Sequence, residues 1–202
     1  PQERFWSNRM SQAYNIITDV EAAPAFLKLK KATVTGFKGD VQKSYEYLKR
    51  ADSVAVLIYH RDHQKFTWVE QFRIGQAARP NDGIQTTFEP VAGMIDPGQT
   101  AEEAAYREVQ EETGVVAASL SFVGSFLMCP GVMTERMHLY VAEVEGQPLN
   151  TEGGLPEEHE DISVIHWTAL ETQRAMSNGD MDNAHAMLLW QWVLLNRPEW
   201  MR

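Results

Sequence analysis

Cysteine is almost absent. Cys129 is the single thiol among 202 residues. No disulfide can form within the chain, which excludes a small disulfide-stapled scaffold. A lone thiol suits a reducing cytoplasm, and the opening "PQERFWSNRM" carries no secretory pattern, so a cytoplasmic location is expected. Basic charge is scarce as well. Eighteen Lys and Arg face 28 Asp and Glu, giving a net charge of -10 and a pI near 5.1. That balance excludes a general nucleic-acid binder, which needs a basic face. An anionic ligand would have to be met by local arginines and lysines or by bound metal ions. Long hydrophobic runs are missing too. The longest, "AMLLWQWVLL", includes Gln191 and is too short to cross a bilayer, so no membrane partner is expected. Repeats and low-complexity tracts are also lacking. What remains is ordinary globular stuff: 44% apolar and 23% charged residues, enough for a sizeable core.

Patterning divides the chain into a β-rich first half and a mixed second half. Residues 1–25 have no clear period and read as a tail or as an arm on a partner subunit. "FLKLKKATVTGF" and "QKSYEYLKR" alternate apolar and polar residues as strands do, and "SVAVLIYH" reads as a buried strand. "KFTWVEQFRI" is a further strand. "TTFEPVAG" is another, with Pro90 confining it to an edge or a bulge. "SLSFVGSFLM", "MHLYVAEVEG" and "ISVIHWT" follow as strands, and "QPLNTEGGLPEEHED" as a long polar loop. "ALETQRAMSNG" and "NAHAMLLWQWVLLNRPEW" close the chain as helices. The expected fold class is α+β. An N-terminal β element over residues 1–50 would precede the main domain over 51–202.

Between these strands, Thr100 to Thr113 has the marks of a helix. Thr100 and Glu103 form a capping-box pair, Ala101, Ala104, Ala105 and Val109 give an apolar stripe, and Gly114 is a C-terminal stop. The helix crowds Glu108, Glu111 and Glu112 onto neighbouring positions, where like charges repel by a few tenths of a kcal/mol per pair. Divalent cations would remove that repulsion, because carboxylate oxygens are natural ligands of hard ions. Arg107 lies four residues before Glu111 and can clamp it within the helix. A solvated acidic face is the plainer alternative.

The wider window "GMIDPGQTAEEAAYREVQEETGV", Gly93 to Val115, resembles the Nudix box, G-x5-E-x7-R-E-U-x-E-E-x-G-U with U aliphatic. Gly93, Arg107, Glu108, Val109, Glu111, Glu112, Gly114 and Val115 match, and Gln99 departs from the usual Glu. The resemblance implies a Nudix α/β/α sandwich with a mixed sheet and a small N-terminal β element. It implies Mg2+, or Mn2+ in its place, with two or three ions per site. Glu108, Glu111, Glu112 and the carbonyl of Ala92 would be ligands, with Glu111 either binding metal or orienting its neighbours. Glu112 and Arg107 would serve catalysis.

Flanking residues resemble the ADP-ribose pyrophosphatase branch. Pro130 follows Gly114 by 16 residues in "CPGVMTE", similar to the branch's S-P-G-x-x-x-E with Cys129 at the serine and Glu135 at the glutamate. "EQFRIG" resembles the strand carrying a substrate-facing arginine, here Arg73. In "GLPEEHEDI", related enzymes place a general base and a metal ligand, which assigns Glu158 and Glu160. "QKSYEYLKRADSVAVLIY" is closer to the UDP-sugar branch, with Lys43, Tyr45 and Glu46 where ADP-ribose enzymes tend to carry arginines. Tyr45 could stack on a base or be packed as core or interface. The resemblance thus implies Mg2+-dependent hydrolysis of ADP-ribose or a related nucleoside diphosphate sugar to a nucleoside monophosphate and a sugar phosphate. Arg73, Glu135 and Tyr45 would contact substrate in a homodimer whose sites span both subunits. Alternatives are UDP-glucose as main substrate, a non-catalytic Nudix ligand sensor, and, from a different class, a hydrolase using Cys129.

Overall fold

The computed structural model describes residues 27–34, 43–79, 83–155 and 161–201. Residues 1–26, where an arm was expected, lie outside the described residues. Two sheets are present. A two-stranded antiparallel ribbon joins β1 (Lys28–Val34) to β2 (Lys43–Lys49). An eight-stranded mixed sheet holds β3 (Ser53–His60), β4 (Lys65–Phe72), β5 (Thr86–Glu89), β6 (Val91–Met94), β7 (Leu120–Leu127), β8 (Arg136–Val144), β9 (Glu152–Gly153) and β10 (Ile162–Trp167). Its order is β7-β8-β3-β4-β10-β9, with β5 against β4 and β6 against β3. β3 and β8 run parallel and the other pairs antiparallel.

Every residue of β3 is buried, as its unbroken apolar run predicts for a strand covered on both faces. Val54, Val56 and Ile58 join one core cluster; Ala55, Leu57 and Tyr59, alternating with them, join the other. The first face is covered by α2 (Ala101–Thr113) through Ala104, Ala105 and Val109. The second is covered by α3 (Ala169–Asn178) and α4 (Ala184–Asn196), which pack Ala175, Leu189, Trp190 and Val193 beside Phe66, Trp68 and Trp167. The result is the expected α/β/α sandwich. A final 3-10 turn (Pro198–Met201) stacks Trp200 on Tyr59 at 4.4 Å.

Helix ends follow their sequence signals. Thr100 and Glu103 form a reciprocal capping box on α2, and Gly114 closes it at φ 70°. Thr168 and Glu171 cap α3 in the same way. Pro90 falls where the chain stops pairing with β4 and starts pairing with β3. A residue without an N–H donor is tolerated at that break. Two expectations need correction. The strand in "KFTWVEQFRI" ends at Phe72, because Arg73 caps one helical turn, α1 (Ile74–Ala77). The polar loop after β8 contains β9, which pairs with Ile162 and Ser163.

Candidate active site

The glutamates of α2 do not form a solvated face. Glu108 is 8% exposed and Glu112 is 2% exposed. Both are turned inward because α2 lies against β6. The Ala92 amide donates to Glu112 Oε2 at 3.2 Å. The next residue, Gly93, has no room for a side chain: a Cβ there would fall 1.8 Å from Glu108 Oε1. The glycine is therefore needed for the close approach of strand to carboxylate.

Arg107 binds this corner together. Nη1 donates to Glu111 Oε2 at 2.7 Å, as the four-residue spacing predicts. Nη2 donates to the Met94 carbonyl at 2.9 Å and lies 2.9 Å from Glu108 Oε1. Burial works against its charge, but the Glu111 hydrogen bond and the charges of Glu108, Glu111 and Asp96 outweigh it and push the pKa above the ordinary arginine value. Gln99 belongs to the same corner. Its Oε1 accepts from the Asp96 amide at 3.3 Å and from Arg107 Nη2 at 3.5 Å. An amide oxygen can do that work without a charge, which explains how the loop closes with glutamine at this position.

A strap after β8 braces the far end of α2. Asn150 Nδ2 donates to the Thr113 carbonyl at 2.8 Å, and Gly154 N donates to the Glu111 carbonyl at 3.1 Å. These bonds satisfy carbonyls that a helix end leaves without partners. Gly153 passes so close that a Cβ would lie 1.6 Å from the Glu112 carbonyl oxygen. His166 holds the strap from β10, with Nε2 2.6 Å from the Asn150 carbonyl. Glu158 and Glu160, later in the sequence, lie outside the described residues.

The remaining expected residues occupy three places. Arg73, at the end of β4, donates from Nε and Nη2 to the two oxygens of Glu89, each at 2.9 Å. Burial opposes ionisation of Glu89. The His185 ring 3.6 Å away, the hydrogen bonds and charge of Arg73 and the Thr87 hydroxyl prevail and hold its pKa at about 2. Glu135 is buried one strand over from β6. Ser53 Oγ donates to it at 2.8 Å and Arg50 Nε lies 3.4 Å away. Tyr45 is exposed on the ribbon, with Ala32 as its register partner. Cys129 and Pro130 begin the turn before β8, and Cys129 is exposed. Sequence reasoning did not single out Glu89, Asn150, Gly153 or Arg50. For Glu89 a signal existed: it stands in "TTFEPVAG", three residues before Ala92.

A divalent cation fits this donor set. Glu108, Glu111 and Glu112 offer hard oxygens, two of them from buried side chains, and one guanidinium pairs with Glu108 and Glu111. The Gly93 approach also keeps side-chain bulk away from Glu108. Among the described residues no three His, Cys, Asp or Glu side chains are grouped so as to hold a metal ion by themselves. Glu108, Glu112 and the Ala92 carbonyl would hold the ion, with further ligands supplied by Glu111, Glu160 or water.

A mixed sheet between helix layers places buried carboxylates at a strand–loop–helix corner. Residues 49–188 match the family model described as NUDIX domain, and the chain belongs to the Nudix family. A Haemophilus influenzae protein named ADP-ribose pyrophosphatase is 31% identical, with 96% of this chain and 94% of that protein aligned. A Mus musculus protein named uridine diphosphate glucose pyrophosphatase is 31% identical over 70% of this chain and 76% of its own length. A crystal structure of an ADP compounds hydrolase superposes with a TM-score of 0.67, at 21% identity over 92% of this chain and 97% of that one. That likeness supports the fold.

Proposed function

We propose that the protein hydrolyses the diphosphate bond of ADP-ribose or a related nucleoside diphosphate sugar, with Mg2+ or Mn2+ bound. One water is consumed, and a nucleoside monophosphate and a sugar phosphate are released. The observation that carries this reading is the corner at Ala92 and Gly93, where buried Glu108 and Glu112 meet a strand and Arg107 ties the loop shut. Two or three bound ions would supply positive charge for the diphosphate oxygens and lower the pKa of a bound water.

The chain's own residues divide the remaining work. Glu158 takes the proton from the attacking water, and Glu160 joins the metal ligands. Arg107 keeps Glu111 and the Met94 carbonyl at the end of β6 in place. Arg73 offers a planar fork of donors to the diphosphate, the geometry that arginine matches best. Glu135 contacts the substrate beside β6, and Tyr45 contributes from the ribbon. The ribbon and the residues before it form a dimerisation arm, so that each site is completed by a second copy. We place the enzyme in the cytoplasm, where a lone exposed thiol persists. No helix of the described residues is long and apolar enough to cross a membrane.

UDP-glucose hydrolysis is the second reading, favoured by the mouse relative and by Lys43, Tyr45 and Glu46 on the ribbon strand. The deciding experiment incubates the protein with ADP-ribose and with UDP-glucose in Mg2+, and identifies the products. AMP and ribose phosphate at the higher kcat/KM are expected. A higher value for UDP-glucose would replace the first reading by the second. No turnover of either, with metal still bound, would favour a ligand sensor.

A further inference from the structure

We propose that Glu89 and His185 are positioning residues that hold the Arg73 guanidinium in place for the substrate diphosphate. The proposal rests on the reading that Arg73 meets that diphosphate.

The pair is not needed to join β4 to β5. The ladder from Val69↔Glu89 to Phe72↔Thr86 already does so, and the Arg73 amide donates to the Gln85 carbonyl at 3.0 Å. The Arg73 carbonyl also accepts from Gln76 and Ala77 at 2.9 Å each. With the backbone fixed on both sides, the fork to Glu89 sets only where the side chain points.

The two partners are unequal in exposure. The Glu89 side chain is 5% exposed, whereas that of Arg73 is 42% exposed. The anchor is inside the protein and the anchored cation faces out. Two of the five guanidinium N–H donors serve the fork. Long arginine side chains lose rotamer freedom when a ligand captures them, and a fork made beforehand removes that loss from binding.

Glu89 is itself held from several directions. Thr87 Oγ1 donates to Oε1. His185 Nε2, in the first turn of α4, lies 3.6 Å from Oε2. That turn is tied to β5 by Asn183 Nδ2, which donates to the Phe88 carbonyl at 2.6 Å. So α4, on one face of the sheet, braces the carboxylate that orients Arg73. Glu89 also precedes Ala92 by three residues, roughly 10 Å of extended chain. Arg73's anchor and the strand amide that meets Glu112 therefore belong to one short segment.

The test is steady-state kinetics on ADP-ribose for Arg73→Ala, Glu89→Gln, the double variant and His185→Gln. Arg73→Ala is expected to raise KM about tenfold or more, by a larger factor than kcat falls. Glu89→Gln should raise KM about fivefold in the wild-type background, and by less than about twofold when Arg73 is already alanine. His185→Gln should raise KM about two- to threefold in the same direction. The double variant should melt higher than Arg73→Ala, since it no longer buries an unpaired carboxylate. If Glu89→Gln is insoluble, Glu89→Asp retains the charge, retracts it by one methylene and should still raise KM. An unchanged KM for Glu89→Gln or Glu89→Asp, beside a raised KM for Arg73→Ala, overturns the proposal. So does a Glu89→Gln effect that persists in full without Arg73. An unchanged KM for Arg73→Ala would instead refute the reading of Arg73 on which the proposal stands.

Discussion

Glu112 accepts a hydrogen bond from the Ala92 amide, and that bond needs an acceptor but no charge. Replacing Glu112 by Gln should therefore leave the fold in place while removing a negative ligand. Turnover is expected to fall roughly a thousandfold or more, with the melting temperature within a few degrees of wild type. Parallel activity and melting measurements check this, and near-normal turnover would remove Glu112 from the metal site. Two glycines give a paired prediction. A Cβ at Gly93 meets the end of the Glu108 side chain, which can swing aside; a Cβ at Gly153 meets the Glu112 carbonyl, which cannot move without the helix. Gly93→Ala should thus lose activity more than stability, because Glu108 leaves its position. Gly153→Ala should lose about 1–3 kcal/mol of stability, as an overfilled contact does, measured by denaturant unfolding. At this scale, legibility followed sequence distance. Glu108, Glu111, Glu112 and Arg107 lie within one helical turn and a half, so helical spacing alone predicted the Arg107–Glu111 clamp. Arg73 and Glu89 are 16 residues apart, and Ser53 and Glu135 are 82 apart. Those pairs depend on strand register, which local pattern does not encode.

The elements were largely readable, since each carried its own start and stop chemistry. The capping box and helix-ending glycine of α2 sit where the residue types placed them, and α3 proves to carry the same devices at Thr168, Glu171 and Gly179. The sheet order was not readable, and with it went a hydrogen-bond chain across three strands. His166 on β10 bonds the Asn150 carbonyl through Nε2, and a carbonyl can only accept. His166 Nδ1 must then accept from Thr67 Oγ1, 3.0 Å away on β4, and Thr67 must accept from His60 Nε2 on β3 at 2.8 Å. His60 Nδ1 ends the chain in the core with no hydrogen-bond partner. Burial favours the neutral form of both imidazoles, the form in which this chain of bonds is made. Burial, with His166 nearby, brings the His60 pKa down to about 4, and burial lowers His166 against the pull of the Asn150 bond. A lowered histidine pKa means that the unfolded chain takes up protons first. Stability from these groups is complete above the ordinary value near 6.5 and is lost as pH falls towards 4. Denaturant unfolding from pH 7.5 to 4.5 should show that decline. His60→Phe should flatten it, and an equally steep decline in the variant would rule out the chain as its source.

At the scale of the whole molecule, charge and apolar surface are distributed unevenly. The ribbon of β1 and β2 carries five lysines and one glutamate, in a chain whose net charge is -10. It also exposes Leu27, Leu29, Val34 and Tyr45. A two-stranded ribbon is marginal in water unless another surface covers it. Its backbone attachment to the large sheet runs through Leu48, whose amide donates to the Val132 carbonyl at 2.7 Å and whose carbonyl accepts from Thr134 at 3.0 Å. Alternation in "KLKKATV" and "KSYEYLK" was sufficient to predict the strands. It could not tell that the apolar members would stay exposed beside the other described residues, since that depends on what else the fold brings near. A basic, apolar ribbon on an acidic body is complementary to the body of a second copy, which is why the homodimer is the expected state. Analytical ultracentrifugation of the full chain at micromolar concentration should give a dimer. For a contact made through the ribbon lysines, the dissociation constant should rise with salt as screening shortens the reach of each charge to about 10 Å at 0.1 M. Leu29→Asp should weaken the dimer by removing apolar contact. Lys30→Glu with Lys31→Glu should weaken it by charge and should reduce the salt dependence. A monomer at every concentration, with full activity and a folded ribbon, would refute the arm and leave each site complete within one chain.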